Sequence, residues 1–329
     1  MIVNTDFVEA LKKDSYKWYV EKYEEVPEIF SKIAETATSS NAYEKETVAT
    51  GGGRLDEKPY GGEYTQISVT EAWTPIIRMK EFGNLLPIEG ATMEDIEKKA
   101  GNMVKKWVSE WAESARQTKE FMVADMLSYG GYSLGHEATF DNSDPGGAWV
   151  DPSGKFIYDG KPFLTLSGND RTAKNRNTFF NAFSTKALNP SGVEDMYELI
   201  AETNAYKENG EKVVIMPDIL VVGTPTQEFT ARRILESEQI AGSANNDKNV
   251  IKNIVKVVRN PFLTSAFKAA GAFVMGKAKK GIKIYSRIEP QFDFFEDKKS
   301  NVFYGRIRLR CGAGVTNWRY WAGNKVPTS

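Results

Sequence analysis

The stretch from Lys212 to Leu263 constrains the fold most, because four elements follow one another there with their boundaries written in the residues. Val213 to Met216 and Ile219 to Val222 are rich in branched aliphatic residues and bounded by Pro217 and Gly223, which predicts two short strands. Thr224-Pro225-Thr226-Gln227 has the form of a capping box with proline at the first helical position, so a helix is expected from about Pro225 to near Glu238. A Gly- and Asn-rich connection over 242–249 leads to the apolar run Val250 to Val258, expected as strand and stopped at Asn260-Pro261. The unit reads strand, helix, strand. It carries no glycine fingerprint after a strand, which argues against a nucleotide-binding α/β enzyme.

The longest periodic signal runs from Thr92 to Tyr129. Met93, Ile96, Ala100, Met103, Trp107, Trp111, Ala115, Met122 and Met126 hold a three-and-four spacing, with charged residues opposite. Unbroken, that helix measures roughly 55 Å. Gly130-Gly131 ends it. Its Met and Trp stripe reads as core, packing on a sheet. A further helix is expected from Asn189 to Tyr206, with Met196, Leu199 and Ile200 on one face.

The first 36 residues read as helical, divided at Pro27. From Asp6 to Glu46 the chain holds ten acids and six lysines, a net of four negative charges. From about Glu44 to Glu89 it has little globular character: Tyr64 to Trp73 and Ile76 to Met79 read as a hairpin bent near Pro75, which needs a partner surface to be stable. The section from Tyr132 to Asn189 is rich in turn signals, Asp159-Gly160 among them. Two strands close the chain, Ile282 to Ile288 and Val302 to Cys311. In the second, Phe303, Ile307, Leu309 and Cys311 share one face and Tyr304, Arg306, Arg308 and Arg310 the other. Between them, Gln291 to Asp297 reads as a short polar link with Phe292, Phe294 and Phe295 exposed, the mark of an interface.

Chemistry-bearing residues are scarce. Cys311 is the single cysteine and His136 the single histidine among 329 residues, so neither a disulfide nor a zinc site of His/Cys type can form within the chain. His136 lies in no catalytic motif, and Gly51-Gly52-Gly53-Arg54 lacks the context of a phosphate loop. No apolar run has the length of a membrane span, and the first residues lack a signal-peptide core. From Lys248 to Ile288 there are ten basic residues and no acid, a stretch suited to an acidic partner or nucleic acid.

Taken in order, Ile215-Met216-Pro217, Ile219 to Val222, Ala231 to Leu235, Asn245 to Asn249, Asn260-Pro261-Phe262-Leu263 and Asn317-Trp318-Arg319 resemble the major capsid proteins of tailed bacteriophages, of the Hong Kong ninety-seven type. The likeness is strongest to the major head subunits of the phage Mu kind. The resemblance implies an α+β fold with an N-terminal arm (1–43) lying across a neighbour, an extended loop (44–91) and a peripheral domain (92–187) with a spine helix over 92–129. An axial domain (188–280) and C-terminal peripheral strands and tail (281–329) complete it. It implies a structural protein without catalysis or cofactor, self-assembling as pentamers and hexamers into an icosahedral or prolate head around double-stranded DNA. Portal, scaffolding and decoration proteins are the implied partners, with no membrane, and assembly takes place in the bacterial cytoplasm. Some relatives carry an N-terminal scaffolding segment, so scaffolding is expected from another protein or from a removed segment. An encapsulin-like nanocompartment is the alternative.

Combined with exposure expected from the residues themselves, this reading makes Trp18, Tyr60, Trp73, Phe292, Phe294, Phe295, Arg306, Arg308 and Arg310 candidates for inter-subunit contact. Lys277, Lys279, Lys280 and Lys283 are candidates to face a neighbour's acidic arm or, second, DNA.

Overall fold

In the computed structural model of the chain, residues 5–25, 27–49, 55–58, 60–64, 66, 71–89, 100–131, 161–172, 177–239, 248–297, 299 and 302–327 are described. Helices α1 (Thr5–Glu25) and α2 (Phe30–Ile33) part around Pro27, as expected, and lead into strand β1 (Glu35–Thr38). Five strands follow: β2 (Tyr43–Lys45), β3 (Val48–Ala49), β4 (Glu71–Trp73), β5 (Ile76–Arg78) and β6 (Lys80–Glu89). The long helix α3 is described over Ala100–Ser128, about 43 Å at 1.5 Å per residue. The expected start at Thr92 lies outside the described residues, as do His136, Gly51 to Arg54 and the turn at Asp159-Gly160. Short strands β7 (Arg171–Thr172), β8 (Thr178–Phe179) and β9 (Ala182–Phe183) precede α4 (Pro190–Glu198), which runs into a π turn at Leu199–Thr203. Then come β10 (Ile219–Val222), α5 (Pro225–Glu236), β11 (Lys256–Arg259), α6 (Ser265–Ala269) and β12 (Phe273–Gly276). The paired strands β13 (Ile282–Asp297) and β14 (Val302–Val315), a 3-10 turn at Trp318–Tyr320 and β15 (Trp321–Asn324) complete the chain.

Two sheets organise these elements. The first has the order β1-β13-β14-β6, with β1 parallel to β13 and the other pairs antiparallel. The period-2 pattern of β14 decides how it packs. Phe303, Ile307, Leu309 and Cys311 are buried against Val108, Ala112, Ala115 and Met122 of α3, and Tyr19 of α1 joins the same cluster. Thus α1 packs on its own subunit's long helix.

The second sheet has the order β11-β10-β12-β15-β9. Its three central strands, β10, β12 and β15, are buried on both faces, whereas the edge strand β11 exposes Lys256 and Arg259. Ile219 and Val221 meet Val123 and Leu127 of α3 together with Trp318 and Trp321. Leu220 and Val222 meet Val193 and Met196 of α4 and Ala231 and Leu235 of α5. The capping box at Thr224 forms as the sequence predicts, and the helix expected from Asn189 starts there, with the Asn189 side chain accepting from the Gly192 N–H, although it is α-helical only to Glu198.

Four expectations change. Residues 213–216 form no strand, with Ile215 buried and Val214 and Met216 exposed, because branched aliphatic content favours a strand without supplying a hydrogen-bond partner. In the run Val250 to Val258, strand begins only at Lys256; Asn253, at φ 59°, turns the chain before it. The hairpin around Pro75 is not formed. β4 and β5 lie on one leg and pair with β3 and β2, and the Pro75 carbonyl accepts from the Glu46 N–H at 3.1 Å. Finally, Gln291 to Asp297 is not a link but part of the 16-residue strand β13. Pro290 cannot donate to the ladder, and the register shifts between Ile288 and Gln291 before pairing resumes.

The N-terminus of α2 has no side-chain cap of its own. Glu120 of α3 supplies one, accepting from the N–H groups of Ile29 at 2.6 Å and Phe30 at 2.9 Å. Burial raises the Glu120 carboxyl above the usual carboxylate range, although the two N–H groups pull the other way. A raised folded-state value means that ionisation costs the fold stability. Glu120 therefore weakens the native state as pH rises from the ordinary carboxylate value through the raised one. Comparing unfolding free energies of the native chain and Glu120→Gln from pH 4 to 7 should show the difference between them changing over that window. Glu120→Ala leaves the buried Phe30 donor and the half-buried Ile29 donor without an acceptor and should cost about 2 kcal/mol.

Candidate assembly surfaces

Residues 43–49 and 71–78 form a two-stranded ribbon rooted on β13 and β14. The root is tight because β14 offers glycines there. A Cβ on Gly314 would sit 2.6 Å from Ile77 Cγ1, and one on Gly312 would run into the Arg78 backbone. Ile77 and Met79 bury against Tyr285. Lys283 donates to Glu46 at 2.5 Å, the Tyr285 hydroxyl donates to the same oxygen, and Glu35 lies 3.6 Å from the Lys283 ammonium. Burial works to lower the Lys283 ammonium, yet Glu46 and Glu35 hold it above its ordinary value. Burial, then Glu46, pushes the Tyr285 hydroxyl up. Beyond β3 and β4 the ribbon leaves Leu55, Tyr60 and Tyr64 at 94%, 109% and 79% exposure.

The outer face of the first sheet is polar and basic. Arg306 pairs with Asp293 at 2.6 Å, and Arg308 donates to Gln291 at 3.2 Å. Arg310 is half-buried beside them. Phe295 stacks on Tyr304, with the Arg306 guanidinium 5.6 Å from its ring.

The structure sorts the candidate contact residues. Tyr60, Phe295, Arg306, Arg308 and Arg310 lie at or near the surface. Phe292 and Phe294 do not: the pleat of β13 turns both inward beneath α3, with Phe294 stacked on Phe303 at 6.0 Å. Their expected exposure is corrected for that reason. Trp18 packs half-buried between α1 and α3, and Trp73 is buried at the ribbon root.

Of the basic residues, Lys277 pairs with Asp218 at 2.8 Å and Lys283 with Glu46, so the acids they meet belong to their own chain. Lys252 and Arg259 likewise pair with Glu238 and Glu228. Lys279 and Lys280 remain exposed in a turn whose backbone is held elsewhere. The Lys279 N–H donates to the Ile33 carbonyl at 2.9 Å, and the Lys280 carbonyl accepts from Trp321 Nε1 at 2.7 Å.

Residues that the sequence reading passed over include Leu55 and Tyr64 on the ribbon, and Val214, Met216, Phe229 and Val250, all exposed around the second sheet. The buried Glu208–Arg319 pair had no local sequence signal, since its partners are 111 residues apart.

The parallel β10-α5-β11 unit offers no phosphate cradle. The Gly223 and Thr224 N–H groups both donate to Gln227 Oε1, at 3.2 and 3.1 Å, and the Gln227 N–H donates to Thr224 Oγ1. The helix N-terminus is closed by its own side chains.

The family model described as phage capsid protein matches residues 89–324, well over half the chain. The chain belongs to the phage capsid protein family. It is therefore a structural subunit of a phage head shell and a component of the virion capsid, assembling with copies of itself. The capsid subunit also resembles solved capsids in fold. The capsid of the cyanophage P-SCSP1u matches with a TM-score of 0.52 at 10% identity, covering 92% of this chain and 89% of that one. The capsid of an empty GTA particle matches with a TM-score of 0.50 at 12% identity, covering 91% and 90%. No curated protein matches the chain in sequence.

Proposed function

We propose that this subunit is the major shell protein of a head enclosing double-stranded DNA, built from pentamers and hexamers in which the ribbon of one subunit lies on its neighbour. The observation that carries the reading is the ribbon: rooted by glycines and a half-buried polar cluster, it presents Leu55, Tyr60 and Tyr64 largely exposed, with Lys58 over the Tyr64 ring. A two-stranded ribbon is marginal alone, and a partner surface stabilises it. Phe295 and the Arg306–Arg310 face are the contacts proposed on the first sheet. The resemblance of the sequence to tailed-phage head subunits supports portal, scaffolding and decoration proteins as partners and the host cytoplasm as the place of assembly. It also supports the division into arm, extended loop, peripheral and axial domains. The activity is geometric: many modest contacts sum to a strong shell while each stays weak enough to correct errors.

The triple variant Leu55→Ser/Tyr60→Ser/Tyr64→Ser tests this. Shell yield by sedimentation should fall at least tenfold while the melting temperature of the isolated subunit stays unchanged; wild-type yield removes the ribbon from the interface. For DNA, Lys279 and Lys280 are the proposed contacts, since Lys277 and Lys283 are engaged within the subunit. Lys279→Glu/Lys280→Glu should shift subunit stability by no more than about 0.5 kcal/mol while lowering the DNA content of purified particles. Unchanged content would place this turn away from DNA.

A further inference from the structure

Arg319 occupies an unusual position for a charge. Its side chain is 5% exposed and pairs with Glu208, whose side chain is 3% exposed. The guanidinium lies 4.5 Å from the Trp318 ring, 5.3 Å from that of Trp73 and 5.7 Å from that of Phe179. Its Nε is buried without an acceptor, so its hydrogen bonding is concentrated at the Glu208 end. Three separate parts of the chain meet here. Trp73 belongs to β4 of the ribbon and also donates from Nε1 to the Thr316 carbonyl at 3.4 Å. Glu208 sits in the turn that follows the π turn, a segment closed by the Tyr206–Lys212 bridge and by Gly210 at φ 86°. Arg319 belongs to the 3-10 turn between the two sheets' last strands.

Trp73 is buried on a leg where Glu71 and Ile76 are exposed. A planar guanidinium can stack on its ring and bind a carboxylate through its edge at the same time; an ammonium has no such plane. We infer that Arg319 is a positioning residue that couples the seat of the ribbon to the 204–212 turn, with Trp73 at one end and Glu208 at the other. Disturbing either end loosens the other, because thermodynamic coupling between two sites is reciprocal. The consequence for shell growth rests on the ribbon reaching a neighbour as proposed above; the coupling itself is a property of the isolated subunit.

Amide hydrogen exchange on the full chain as a soluble subunit tests it. In Glu208→Gln, exchange at β3 and β4 should quicken by about tenfold while β10 and β12 keep their protection. In Trp73→Leu, the 204–212 turn should quicken although it does not belong to the ribbon. Arg319→Lys keeps the charge beside Glu208 and loses the stacking plane, so the ribbon should loosen with the turn still protected. Effects confined to each variant's own segment would overturn the coupling, and a uniform rise in exchange throughout the chain would show a structural role only. Should Glu208→Gln fail to fold, the Trp73→Leu comparison decides alone. Assembly yield is not a readout here, so failure of the coupling and failure of the shell reading are separable.

Discussion

Glu208→Leu is expected to lower the stability of the subunit by about 3–5 kcal/mol in urea unfolding, because it leaves the Arg319 charge buried among aromatic rings without its carboxylate. The rings attract the cation, which is why the loss stays within that range instead of the far larger cost of an isolated buried ion. Removing both charges tells a different story. Glu208→Leu/Arg319→Met fills similar volume with apolar atoms and should recover most of the loss, since a buried pair is dear to break and cheap to replace. A double variant as unstable as the single would mean that packing around Arg319, and not its charge, holds this junction together.

Phe294→Ser should cost about 3–5 kcal/mol, the range for emptying a buried phenylalanine site, and should appear as loss of soluble subunit. The ring is 5% exposed, stacks on Phe303 and sits beneath α3. Its neighbour gives the contrast. Phe295, 38% exposed on the opposite face of the same strand and stacked on Tyr304, should lose only about 1 kcal/mol on change to serine and show its larger effect in shell yield. Thermal melts of the two variants side by side check this, and equal melting temperatures would contradict the strand assignment. The expectation that all three phenylalanines stand exposed in a link fails for Phe292 and Phe294.

That failure shows where the residues speak and where they do not. β14 was legible because its period of two runs unbroken from Phe303 to Cys311, and α3 because its apolar stripe holds through seven turns and more. The β10-α5-β11 unit was legible in its cap and strand cores, since Thr224, Gln227 and Pro225 act locally. β13 was misread because Pro290 looks like a stop; the ladder passes it with a shift in register, a choice that depends on β14 across the sheet. The ribbon was misread for a similar reason. Tyr43-Glu44-Lys45 carries no strong strand signal, and only the pairing with Ile76 to Arg78 makes it one. The candidate surfaces follow the same division. The arginine face could be read from alternation, whereas the engagement of Lys277 and Lys283 by Asp218 and Glu46 depends on tertiary partners that no local pattern names.

Electron microscopy of the purified protein, with its sedimentation profile measured alone and with neighbouring genes co-expressed, tests the central claim most directly. Closed shells, or rings of five and six, are the predicted result; a monodisperse monomer under every condition would contradict it.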